Sequence, residues 1–198
     1  SDVSGLRNGC HRKPPGSLTV RPGRAGGRGH PSSGQGKLIR IKLAEERLSF
    51  YQAHPMNIEL LSTCAEDTLE IARALGEVLV PGDVVALTGE LGAGKTVFCK
   101  GVGESLGIPA DRIVSPSFTM LTEHVGSVPL YHIDAYRLSG DREAEGIGLE
   151  EALYGEGICV VEWAEKIASF LPNCSIRIKF AFSGETGRTL LVAAEDTP

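Results

Sequence analysis

The sequence predicts an α/β protein with a mixed sheet, parallel in its core, extended by antiparallel hairpins and flanked by helices. Three observations carry that prediction. A β-branched apolar run, Val84–Thr88, leads directly into a glycine-rich loop and then a helical segment, the strand–loop–helix order of a parallel α/β unit. Short apolar runs recur at 128–134 and 158–161 with helical stretches between them. Turn signals at Gly126-Ser127 and across 184–187 separate paired strand candidates, which adds antiparallel strands to the parallel core.

Charge divides the chain before any element does. Residues 1–56 carry ten Lys/Arg against three Asp/Glu, a net +7, whereas 57–198 carry ten against twenty-two, a net −12. The basic arm is dense in Gly, Pro, Ser and Arg and poor in large apolar side chains, so it cannot bury enough surface to offset its ordering entropy. Residues 1–55 are therefore expected to be a disordered extension and 56–198 the folded domain. An Arg/Gly-rich arm suits nucleic-acid contact or a transit peptide, though it lacks the amphipathic period and apolar segment of a targeting signal; the simpler expectation is an upstream extension of a domain that opens at Met56.

Within the body, Thr63-x-x-Glu66 reads as a capping box. It opens a helix with Leu69, Ala72, Leu75 and Leu79 on one face, until Pro81-Gly82 stops it. Val84–Thr88 follows as a buried strand, and 95–106 as a second helix closed by Gly107 and Pro109. Segments 119–123 and 128–134 form a predicted hairpin, 149–153 a short helix, 158–161 a buried strand and 164–170 a further helical turn or two. Residues 175–182 and 188–192 make a terminal hairpin.

The glycine loop between the first buried strand and the second helix reads GELGAGKT. Gly89-x-x-x-x-Gly94-Lys95-Thr96 meets the P-loop pattern in the one context that gives it meaning, after a strand and before a helix. Glycines lack Cβ atoms, so the backbone takes positive φ and turns its N–H groups toward phosphate oxygens at the positive end of the helix. Lys95 then reaches the β- and γ-phosphates, and the Thr96 hydroxyl completes a magnesium shell.

A P-loop alone only binds; hydrolysis needs acids at strand ends, where ligands gather in open α/β sheets. Asp134, closing the run Leu130-Tyr131-His132-Ile133, has the position of a Walker-B carboxylate, with an ordinary turn aspartate as the alternative. His132 alternates with it and faces the same side of the strand, where a hydrogen-bonded packing role is the simpler assignment. Glu162 follows the run Ile158-Cys159-Val160-Val161 and precedes Trp163, the chain's single tryptophan. It reads as a magnesium ligand or as an acid complementing the next helix. Ser115-Pro116-Ser117-Phe118-Thr119 puts hydroxyls in a proline-containing loop, either a simple turn or a switch of the kind that senses a γ-phosphate.

Several classes drop out. No apolar run approaches the roughly 20 residues of a transmembrane helix, which predicts a soluble protein with no membrane partner. Five scattered cysteines (Cys10, Cys64, Cys99, Cys159 and Cys174) form no C-x-x-C pair, against a disulfide framework or a zinc site; reduced thiols in a cytoplasmic protein are the expectation. A guanine-reading Asn-Lys-x-Asp is absent, since Asn8, Asn57 and Asn173 precede Gly, Ile and Cys. A P-loop small-molecule kinase stays open but would carry an arginine-rich lid, and the body's arginines are scattered. A nucleotide-gated binding module without significant turnover also stays open.

Four motifs taken together, GELGAGKT, SPSF, YHIDAYRL and VEWAEK, in this order and spacing, resemble the TsaE family, bacterial P-loop ATPases of tRNA threonylcarbamoyladenosine biosynthesis. The resemblance covers about residues 56–192 and leaves out the arm. The family's usual S-P-T-F is Ser115-Pro116-Ser117-Phe118 here, which keeps the hydroxyl. The resemblance implies ATP and Mg2+ as bound groups, with Gly89, Gly92, Ala93, Gly94, Lys95, Thr96 and Val97 at the phosphates. It implies Thr96 and Glu162 as magnesium ligands, Asp134 and Lys95 in hydrolysis, and Ser117 and Trp163 in switching or support. It also implies two partners, a TsaD-like transferase and a TsaB-like companion, with tRNA reached only through that complex. An acidic body agrees with this, since neutralising a nucleic-acid backbone needs Lys and Arg.

Overall fold

The structure, a computed structural model, describes residues 56–138, 146 and 148–194; the expected disorder of 1–55 lies outside the described residues. Seven strands form one sheet: β1 (Met56–Ser62), β2 (Val84–Thr88), β3 (Leu121–His124), β4 (Leu130–Asp134), β5 (Ile158–Glu162), β6 (Ile176–Ser183) and β7 (Gly187–Ala194). Their spatial order is β1-β7-β6-β2-β5-β4-β3. The strands β6, β2, β5 and β4 run parallel. The β1–β7, β7–β6 and β3–β4 pairs are antiparallel. This is the expected mixed α/β sheet, parallel inside and antiparallel at both edges.

The central parallel strands β2 and β5 are buried on both faces, and β2 shows how the pleat divides its side chains. Val85 and Leu87 join Ile71, Phe98, Val102, Ile178 and Leu190 in one apolar layer, whereas Val84 and Ala86 join Leu149, Leu153, Val161 and Ile167 in the other. Two helices cover the first layer: α1 (Ala65–Gly76) and α2 (Lys95–Ser105). The short α3 (Leu149–Tyr154) and a 3-10 turn at Ala164–Ile167 cover the second. Phe98 of α2 meets Phe180 of β6 edge to face, their ring centroids 5.8 Å apart, an arrangement aromatic quadrupoles favour.

Local detail departs from the sequence prediction in four places. Thr63 and Glu66 do not form a capping box: Cys64 takes the N-cap position, and Asp67 reaches back instead. Its Oδ2 accepts from the Thr63 N–H at 2.8 Å and the Thr63 hydroxyl at 2.6 Å. The helix ends at Gly76 rather than at Pro81-Gly82, because the chain tightens there: Val78 and Leu79 N–H groups both bond to the Leu75 carbonyl. Strand β1 was not predicted; its signal is the alternation of partly buried Ile58 and Leu60 with exposed Glu59 and Leu61. Strand β3 starts at Leu121 rather than Thr119, since a turn closed by Met120 N–H to Pro116 O puts Met120 at φ 63°.

Every parallel strand presents its carboxyl end to the same edge of the sheet. There the β2–α2 loop, the last residues of β4 and β5, and the 115–119 loop meet.

Candidate nucleotide-binding site

The loop 89–94 bends through three left-handed glycines, Gly89 (φ 135°), Gly92 (φ 77°) and Gly94 (φ 103°). Gly89 is required twice over, since a Cβ there would also stand 2.7 Å from the Phe180 carbonyl. Ala93 N–H bonds to Glu90 O across the loop at 3.2 Å, and Phe98 N–H to Gly94 O begins the helical ladder. The remaining N–H groups at the start of α2 form the kind of positive helix terminus that takes anions.

Lys95 is buried, and its ammonium donates to Gly89 O at 2.7 Å and Glu90 O at 2.9 Å. It also lies 3.7 Å from the centre of the Trp163 ring, a cation–π distance. Burial lowers its pKa, and the nearby Glu162, Glu165 and Asp134 carboxyls offset part of that loss. Trp163 adopts φ 56°, left-handed backbone that a tryptophan rarely takes. That conformation turns its ring between Lys95 and Tyr136, the Tyr136 ring centroid 4.9 Å away.

Glu162 and Asp134 end adjacent parallel strands in direct register, and both are buried. Thr96 Oγ1 donates to Glu162 Oε2 at 3.0 Å. The other oxygen, Oε1, shares a hydrogen bond of 2.8 Å with His132 Nε2. Two oxygen donors this close, from the first turn of α2 and the tip of β5, fit a hard cation such as magnesium. Glu162, whose alternative reading is an acid complementing the following helix, is tied to Thr96 and His132 instead, and Glu165 is the exposed acid of that next turn. Cys99, His132 and Glu162 also lie within 4.8 Å of one another. Burial pushes the Cys99 thiol well above its ordinary range. Among the described residues, His132 Nδ1 is buried without a partner.

The 115–119 loop meets β4 at Asp134. Ser115 and Ser117 hydroxyls both donate to Asp134 Oδ2, the latter at 2.7 Å, and the Tyr136 N–H donates to Oδ1 at 3.0 Å. Burial alone would raise the Asp134 pKa; the donors from Ser115, Tyr136 and Ser117 outweigh it and hold the carboxyl below its ordinary range. A base kept ionised beside a phosphate loop can orient a water for in-line attack.

Each residue singled out in the sequence therefore has a place here: Gly89, Gly92, Ala93, Gly94, Lys95, Thr96 and Val97 form the loop and first turn, Thr96 meets Glu162, Ser117 meets Asp134, and Trp163 covers Lys95. Two residues were missed. Tyr136 lies within the motif YHIDAYRL but was assigned no role there. Arg188 lies ninety-two residues from Thr96 in the chain, yet its guanidinium bonds to the carbonyls of Gly92 and Ala93; no local pattern announces that contact.

Residues 62–190 match the family described as "Threonylcarbamoyl adenosine biosynthesis protein TsaE". The chain is 41% identical over 133 residues to the "tRNA threonylcarbamoyladenosine biosynthesis protein TsaE" of Treponema pallidum, covering 67% of this chain and 98% of that protein. It is 44% identical over 131 residues to the Bacillus subtilis protein of the same name, covering 65% and 80%. The crystal structure of Bacillus subtilis YdiB superposes with a TM-score of 0.63 at 38% identity, covering 72% of this chain and 88% of that one.

Proposed function

The chain belongs to the TsaE family, and from that premise we propose that it binds and hydrolyses ATP as an accessory of tRNA threonylcarbamoyladenosine synthesis. In this reading it acts in the cytoplasm with TsaD-like and TsaB-like proteins, which carry out threonylcarbamoyl transfer to adenosine 37; tRNA is met only through that complex. The convergence of Lys95, Thr96, Glu162 and Asp134 at the carboxyl ends of three parallel strands supports it best.

The geometry supports a division of labour. Backbone N–H groups from Gly92 to Val97, apart from the Ala93 N–H that bonds to Glu90 O, would surround the β- and γ-phosphates, and Lys95 would exchange its carbonyl partners Gly89 and Glu90 for phosphate oxygens. Thr96 and Glu162 would hold magnesium, which when bound would neutralise developing phosphate charge. Asp134 orients the attacking water. Ser115 and Ser117 share its Oδ2, so a γ-phosphate drawing either hydroxyl away reports occupancy to the 115–119 loop. Trp163 holds Lys95 in place. Among the described residues no helix is long and apolar enough to cross a membrane.

The test is capture of the two partners by the purified full chain with and without ATP, alongside phosphate release with no added acceptor. ATP-dependent capture and partner-stimulated release, both abolished in Lys95→Ala, are expected. A chain that takes up no magnesium–nucleotide by calorimetry, alone or with its companions, overturns the reading.

A further inference from the structure

The hairpin β6–β7 lies beside the parallel core, and one side chain from it reaches the phosphate loop. Arg188, near the start of β7, donates from Nε to Ala93 O at 3.1 Å and from Nη2 to Gly92 O at 3.2 Å. Its Nη1 donates to Gly187 O at 2.7 Å. The guanidinium stacks on the ring of Phe182, its cross-strand neighbour in the β6–β7 ladder, 4.3 Å from the ring centre. Among the described residues its hydrogen-bond partners are all backbone carbonyls. A cation held this way is planar, braced on one face and forked onto two consecutive peptides.

We propose that Arg188 is a positioning residue for phosphate binding, acting through the backbone of the loop; the inference rests on the nucleotide reading above. In a trans peptide the carbonyl and the following N–H point in opposite directions. Pinning Ala93 O therefore aims the Gly94 N–H away from Arg188. Pinning Gly92 O does the same for the Ala93 N–H, which donates to Glu90 O across the loop. Gly92 and Gly94 are both left-handed, and a Cβ at either would meet nothing within 4 Å. Side-chain packing thus does not hold these two residues, and glycine has the most backbone freedom to lose. A phosphate that binds an unclamped loop must order it first; Arg188 has done so in advance.

This role predicts a particular pattern of effects, read by calorimetry of ADP binding to the full chain, with circular dichroism and thermal unfolding as checks on folding. Arg188→Met removes the fork and keeps much of the stem; its ADP affinity should fall about ten-fold or more, as expected for lost charge-assisted hydrogen bonds. Arg188→Lys keeps the cation but cannot span two carbonyls, so it should be weakened as well. Amide exchange at Gly94 should accelerate in both variants. Wild-type affinity in Arg188→Lys with loss only in Arg188→Met would show that charge alone matters and overturn the positioning role, as would wild-type affinity in both. Should Arg188→Met fail to fold, Arg188→Lys decides by the same criterion. A wild-type chain that binds no ADP, alone or with its companions, removes the nucleotide reading itself, and this inference with it.

Discussion

Asp134 shows how a single residue acquires a role from its partners. A carboxylate at a strand end is common, but here two serine hydroxyls and one backbone N–H converge on it, and together they hold it ionised despite burial. Its folded pKa lies below the ordinary value, so its stabilising contribution is complete above the unfolded aspartate pKa and is lost as pH falls through the lowered folded value. Asp134→Asn should therefore keep ATP binding, slow hydrolysis by about ten-fold or more as expected for losing a positioned base, and cost stability at neutral pH. The stability difference from wild type should shrink in acid. Single-turnover phosphate release and urea unfolding at pH 7 and in acid check this; an unchanged turnover removes Asp134 from the chemistry. Glu162 makes the complementary case. With one oxygen bound to His132 and the other to Thr96, it has no freedom to serve as a loose helix charge.

At the scale of elements, α1 and α2 cross closely enough to exclude a methyl group. A Cβ at Gly101 would stand 2.5 Å from Ala72 Cβ and 2.6 Å from the Leu69 carbonyl. Arg73 Nε and Glu104 add a part-buried ion pair at 2.5 Å across the same contact. Since α2 begins with the phosphate loop, its seating on α1 sets the position of Lys95 and Thr96. Gly101→Ala should cost about 1–3 kcal/mol by overpacking, seen as a lowered urea midpoint. Nucleotide affinity should fall with it, because the helix must shift to make room. Helix and strand cores were legible here because burial periodicity writes them into the chain: β2 and α2 lie within a residue of their predicted bounds. Ends were less legible, since caps are settled by competition among neighbours. Asp67 outcompetes Glu66 for Thr63 through geometry that residue type does not specify.

For the whole molecule, the sheet is an inner parallel set that carries the site and two antiparallel edges that brace it. The β3–β4 edge supplies Asp134 and the 115–119 loop; the β6–β7 hairpin supplies Arg188 and the Phe180 carbonyl behind Gly89. The charge divide near residue 56 suggests that nucleotide binding resides wholly in 56–198. A chain beginning at Met56 should bind ATP with the affinity of the full chain, within about two-fold, by calorimetry. A large loss would assign the basic arm a part in the site.

By itself the sequence determined the strand–loop–helix unit, the parallel core and the glycine bends of the 89–94 loop. Each depends on residues adjacent in the chain, where spacing, backbone freedom and alternation of apolar side chains act directly. Only the tertiary structure decided that Glu162 faces Thr96 and His132, that two serines close on Asp134, and that an arginine from the last hairpin grips Gly92 and Ala93. Those contacts join segments 17 to 96 residues apart. Which long-range partners meet is set by strand order and register, a property of the whole sheet that no local pattern encodes.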